Sequence, residues 1–393
     1  MAEGSDTRRP WAFLLLFFGA LLLVAAVLLP TYALGQLKKT PLDLRITTIA
    51  ETQGKTGTVA DAKSLLNTAA KLKVDEQVPI ISQRFLTVEE PSNADEFTVQ
   101  AGSTLRRTDV TGNTGLLTAS VDLVTLDRKT GEALAEPIGS IQTDFEGPFV
   151  PVEHKGLLWR FPFDTEKKSY DYFDLNTRET NPIDYIEETE INGTKVYKFQ
   201  QTIAPTKMAD HVQSPVNSVT KSAENWGVEP NPGQAPDAPI TMDRYYTNIR
   251  TIWVEPETGT VIKGSEEPHQ YFARDANREP EKSLLKAALT YNEETIESQI
   301  ERAKDGTDQL SLIGRTIPIV LGIVGILLLI AGLVLGLRGG SNTVGRRRAN
   351  GGPSGYQPAG GAAPDYSTDR TEEIPRQNLD GQTDVIRRPN LEK

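Results

Sequence analysis

The sequence predicts a mainly β, β-rich α+β domain outside the membrane, held between two transmembrane helices. Three observations carry this reading. Two long uncharged apolar runs lie near the ends of the chain, period-two alternation fills the region between them, and glycine-centred turns join the alternating runs. With 38% hydrophobic side chains over 393 residues, the chain can bury a core.

The first ten residues, 1–10, read as a cytoplasmic N-terminus that carries Arg8 and Arg9. Residues 11–29, WAFLLLFFGALLLVAAVLL, contain no charge and have the length a bilayer-spanning helix needs. Ala33 and Gly35 have the spacing that signal peptidase accepts. The run is nevertheless longer than the roughly 7 to 15 apolar residues of a signal peptide, so an uncleaved anchor is expected. Residues 316–337 form the second span, and Pro318 falls early enough in it to cost little hydrogen bonding.

Orientation follows from the basic residues, because basic loops resist translocation. Lys38 and Lys39 nearly balance Arg8 and Arg9 across the first span, whereas Arg338, Arg346, Arg347 and Arg348 all follow the second. Both termini are therefore expected in the cytoplasm of a plasma-membrane protein, with residues 36–314 outside. Small residues recur along each span: Ala12, Gly19 and Ala26 on the first, Gly325, Gly332 and Gly336 on the second. Such stripes let helix backbones approach, so Gly19, Gly325, Gly332 and Gly336 are candidate packing positions, within the chain or between copies in a homo-oligomer.

The external region is acidic. Residues 40–310 hold 28 Lys and Arg against 44 Asp and Glu, a net charge of −16, more than the −11 of the whole chain. This disfavours nucleic acid and anionic membrane surfaces as partners, although a local basic pocket could still exist. Leu117, Ala119, Val121, Leu123 and Thr125 alternate with Thr118, Ser120 and Asp122, as in a half-buried strand ending at the DRKTGE turn with Gly131. Gly259 and Asn192-Gly193 supply two more hairpin turns. Helical spacing is expected over Ser64–Leu72 and over 281–304, a juxtamembrane helix whose apolar stripe favours packing against the sheet. Pro230, Pro232, Pro236 and Pro239 mark a loop, and the polar tail 338–393 is expected to be disordered.

Chemistry is scarce. With Cys 0, disulfides, thiolate metal sites and cysteine nucleophiles are excluded, and His154, His211 and His269 show no ligand or catalytic spacing. No phosphate loop, nucleophile elbow or calcium loop is present, so no enzyme activity, cofactor or metal is expected. The segment Gly156–Asp174 concentrates Trp159, Phe161, Phe163, Tyr170 and Tyr172 in a chain only 7% aromatic. Read as a strand, it puts Trp159, Phe161 and Phe163 on one face, which fits either a core strand or the wall of an apolar ligand cavity. In the tail, Thr371 and Thr383 lie among acidic residues as candidate phosphorylation sites.

The stretches FPFDTEKKSYDYFD and WVEPETGTVIKG, with the two-span layout, resemble an actinobacterial membrane family sometimes labelled porin PorA. The resemblance covers Arg9 to Leu337 and carries no catalytic residue. The layout is also similar to that of scavenger receptors of the CD36 type, and that resemblance implies an internal tunnel passing lipid toward the membrane. The resulting expectation is a protein that binds or transfers a hydrophobic envelope ligand. The alternative is a noncatalytic scaffold or sensor that couples an external protein partner to the tail.

Overall fold

The computed structural model describes residues 8–338 apart from 55, 145 and 275–278. Thr371 and Thr383 lie outside the described residues. Helix α1 (Arg8–Leu28) continues through a π-turn, Leu29–Ala33, to Leu37. At the other end α2 (Glu293–Ser311) passes through a second π-turn, Leu312–Thr316, into α3 (Ile317–Arg338). The outer faces of α1 and α3 are apolar and uncovered, as Phe13 (70% exposed) and Leu327 (60%) illustrate. Lipid is the solvent such surfaces require.

Between the spans an antiparallel sheet closes on itself. Its ring comprises β1 (Arg45–Thr52), β2 (Ile80–Glu89), β3 (Glu96–Arg107), β4 (Leu116–Asp127), β5 (Tyr170–Asp174), β6 (Glu179–Ile191), β7 (Thr194–Lys207), β8 (Pro239–Glu255), β9 (Thr260–Glu266) and β10 (Leu289–Tyr291). Neighbours pair from β1 through β4 and from β5 through β9, and β10 joins β9 to β1. Single bridges close the circle between β4 and β5: Leu126 with Ala133, Glu132 with Leu157, and Leu157 with Tyr172. Closure removes the free edges that a sheet would otherwise expose.

Local chemistry sets the hairpins. Asn192 (φ 46°) and Gly193 (φ 78°) form the turn between β6 and β7, where both central residues must be left-handed. The β8–β9 turn needs Gly259 for a further reason: a Cβ there would collide with the Phe161 carbonyl. A second lobe branches from the first half of β8 through His269–Ala273, Lys282–Lys286, Gly57–Ala60 and Val74–Val78. It has its own core, built on Trp226, Met242 and Phe272.

Three expectations need correction. The helix expected over 281–304 starts only at Glu293, where a cap forms: the Asn292 side chain accepts a 3.0 Å hydrogen bond from the Thr295 amide. Leu285 and Leu289 fit helical spacing but belong to strands, paired with Val59 and Thr52. The helix expected over Ser64–Leu72 is limited to Ala62–Leu66, because the buried Lys221 ammonium donates to the carbonyls of Ser64, Asn67 and Ala70 as the chain turns away. In β4 burial does not follow the expected face alone: Asp122, Val124 and Leu126, on the face expected to be polar, are buried, as is Thr125 on the other. Asp122 is accommodated there by His154, whose Nε2 lies 2.8 Å from the carboxylate.

Helix α2 packs Ile296, Ile300 and Ala303 against Val196, Ile262 and Trp253 and runs straight on into the second span. It therefore both covers the sheet and ties it to the membrane.

Candidate functional site

The ring is not filled throughout. On one side Phe161, Tyr172, Ile183, Phe199, Ile252 and Val254 pack into a dense core. On the other lies a cavity of about 250 Å³, just below the usual range for small-molecule sites. Strand alternation builds one wall: Ile46, Thr48 and Ala50 of β1 stand beside their cross-strand partners Leu86, Arg84 and Ser82 of β2, each set spaced by two along its strand. Arg250 and Ile252 of β8, Glu266 of β9 and Tyr291 of β10 complete the deep end. Gln299, Arg302 and Gly306 of α2 form one flank.

At its lower end the cavity reaches the membrane connections. Leu37, Lys39 and Thr40, just after the first span, line it together with Leu310, just before the second. The domain is fastened above the spans by a Lys38–Asp164 ion pair at 2.6 Å and by hydrogen bonds exchanged between Thr40 and Arg128, both 2.8 Å.

The aromatic segment divides between the two sides. Trp159 and Phe163 line the cavity, and Tyr172 stands at the boundary, in the dense core and in the lining. Phe161, fully buried, and Tyr170 instead join the dense core, 5.5 Å apart edge to face. The expectation of one shared strand face fails because residues 158–163 form no strand. They are held by irregular hydrogen bonds, from the Phe161 amide to the Gly259 carbonyl and from the Phe163 amide to that of Lys129, which turn Phe161 away from its neighbours.

Among the charged side chains of the lining, overlooked by the search for aromatics, cations outnumber carboxylates: Lys39, Arg84, Arg160, Arg250 and Arg302 against Glu266. At the deep end Arg250 contacts Asp174 at 2.9 Å and Glu266 at 3.1 Å, and donates to the Gln201 side chain. Burial alone would raise the Glu266 carboxyl, but the charges of Arg250 and Arg84 outweigh it and hold the group below its ordinary value. Burial pushes the Tyr172 hydroxyl up to about 12. Arg84 lies 4.9 Å over the Trp159 ring and forms no ion pair among the described residues.

At the membrane end Arg160 is held by neutral groups only. It donates to the Thr40 hydroxyl, to the Thr258 carbonyl at 2.6 Å and to the Phe161 carbonyl at 3.1 Å, and sits 4.5 Å over the Phe163 ring. Burial without a carboxylate partner pulls its guanidinium down to about 10.

The whole folded chain matches a known family. The porin PorA family model matches residues 11–334. The chain belongs to the porin PorA family. Its relatives include a porin PorA of Corynebacterium resistens, 33% identical across 86% of this chain and 97% of the relative. Another, from Corynebacterium amycolatum, is 30% identical across 83% and 98%. With its two apolar helices, this PorA-family chain is a membrane protein.

Within the membrane part, the structure brings three of the four candidate glycines into the contact between α1 and α3. A Cβ on Gly19 would lie 2.9 Å from the Gly325 carbonyl oxygen, and one on Gly332 would lie 2.9 Å from Leu16. Gly336 has only the Ala12 methyl nearby, at 4.0 Å. The small residues thus pack span against span within one chain.

Proposed function

We propose that this PorA-family protein is a noncatalytic carrier that binds, or passes between membrane and envelope, a hydrophobic lipid-like ligand held in the cavity of its external domain. One observation carries the reading: an internal cavity with apolar walls that ends between the two segments entering the membrane, at Leu37 and Leu310. A chain leaving the bilayer beside the spans meets that end first. The basic residues flanking the spans support a plasma-membrane placement with both termini in the cytoplasm and the domain outside.

The name of the relatives suggests a pore instead. A membrane barrel needs an outward apolar band on its strands. The exposed end of β6 carries Glu187, Glu188 and Glu190, and the longest exposed apolar surfaces belong to α1 and α3. These features favour a ring standing in water above the bilayer.

The test uses full-length protein extracted under native conditions, with bound lipids identified by mass spectrometry. Wild type is expected to retain a lipid, whereas Ser82→Trp, which fills the cavity from the inner face of β2, is expected to lose it. Absence of lipid from wild type, or steady conductance in planar bilayers from the purified chain, would overturn the carrier reading.

A further inference from the structure

The cavity is basic inside a domain whose residues 40–310 carry −16, and the excess lies where counter-charges are missing. Arg160 has five N–H donors. Three are used, on Thr40, Thr258 and Phe161, all neutral acceptors. Across the cavity Arg302 donates one hydrogen bond, 3.2 Å to the Arg45 carbonyl, while its Nε–H is buried with no partner. Trp159 likewise buries its Nε1–H without an acceptor. Neither arginine has an ion pair among the described residues. Among the described residues of this lining, the buried side-chain atoms without a partner, Trp159 Nε1 and Arg302 Nε, are both donors, and a buried unmet donor is costly. What the site lacks is an acceptor-rich anion.

We infer that the membrane-end of the cavity, built on Arg160 and Arg302, binds the anionic head group, a carboxylate or phosphate, of an amphiphile whose apolar chain extends inward along the inner face of β1 and β2. This rests on the lipid-carrier reading and adds its chemical class. Position supports it, because Arg160 touches Thr40, three residues beyond the end of the helix that carries the first span. A lipid sliding its chain past Leu37 and Ile46 would bring its head group level with Arg160, at the membrane end of the cavity. A free inorganic anion would satisfy Arg160 but would leave the apolar walls of Ile46, Leu86 and Ile252 uncovered.

The test compares cis-parinaric acid with its methyl ester, the same fluorescent chain without charge, on full-length protein in nonionic detergent at pH 8, with empty micelles as reference. Wild type should bind the acid at least about tenfold more tightly than the ester, as expected of one charge-assisted hydrogen bond. Arg160→Gln and, separately, Arg302→Gln should lower acid affinity toward that of the ester and leave ester binding unchanged. The second variant keeps the test valid if the first does not fold. Equal binding of acid and ester by wild type would overturn the anionic head group while leaving the carrier reading intact. Binding of neither would sink the carrier reading itself. Competition by inorganic phosphate at the concentrations at which the acid competes would mark a free-anion site and likewise overturn the inference.

Discussion

The two ends of the cavity use the same side chain in opposite ways. At the deep end Arg250 is met by Asp174, Glu266 and Gln201. At the membrane end Arg160 is met by a hydroxyl and two carbonyls. The first arrangement meets the cation with two carboxylates and fixes strand β8 against β5 and β9. The second keeps a net positive charge partly out of water, which costs stability unless something else supplies the anion. The difference separates a structural arginine from one available to a ligand, although both line one cavity.

The largest expected effect comes from breaking the deep end. Arg250→Met would strand Asp174, which is fully buried, and leave Glu266 without its partner. A loss of about 3 to 5 kcal/mol in unfolding free energy is expected, read as a fall in the denaturant midpoint. Arg160→Met should cost far less, about 1 kcal/mol, because the lost hydrogen bonds are offset by removal of an uncompensated charge. Equal losses in the two variants would erase the distinction between the ends.

A smaller effect sharpens the same contrast. The folded state holds the Glu266 carboxyl below its ordinary value of 4.5. Its contribution is therefore present above about pH 4.5 and is lost as pH falls through the lower folded-state value. Acid unfolding of Glu266→Gln should show a shallower pH dependence than wild type below that point, and identical acid profiles would count against the deep-end network. The arginine at the membrane end stays charged throughout this range, so Arg160→Gln should leave the slope unchanged.

Features encoded by neighbouring residues were legible in the sequence. The spans, the Asn192-Gly193 turn and the Gly131 and Gly259 turns each depend on a few adjacent positions. Leu285 and Leu289 misled because a helical spacing of apolar residues is also met by two short strands with an irregular link, and only the Asn292 cap marks where the helix begins. The aromatic segment drew attention to the right wall of the cavity, but not to its division: whether Phe161 or Phe163 turns inward is set by Gly259 and Lys129, far along the chain. The basic site was illegible for the same reason. Arg160 is defined by Thr40 and Thr258, which are 120 and 98 residues away, and its lack of a carboxylate is a property of the assembled ring. The buried His154–Asp122 pair, 32 residues apart, escaped notice in the same way.

The central claim is that the cavity above the spans holds a chain-like ligand with its head group at Arg160. An experimental density map of the full chain, isolated with its native lipid, tests this most directly. The account predicts elongated density running from Arg160 over Ile46 and Leu86 toward Arg84. Discrete waters alone in that cavity, in a sample that retains lipid around α1 and α3, would contradict it.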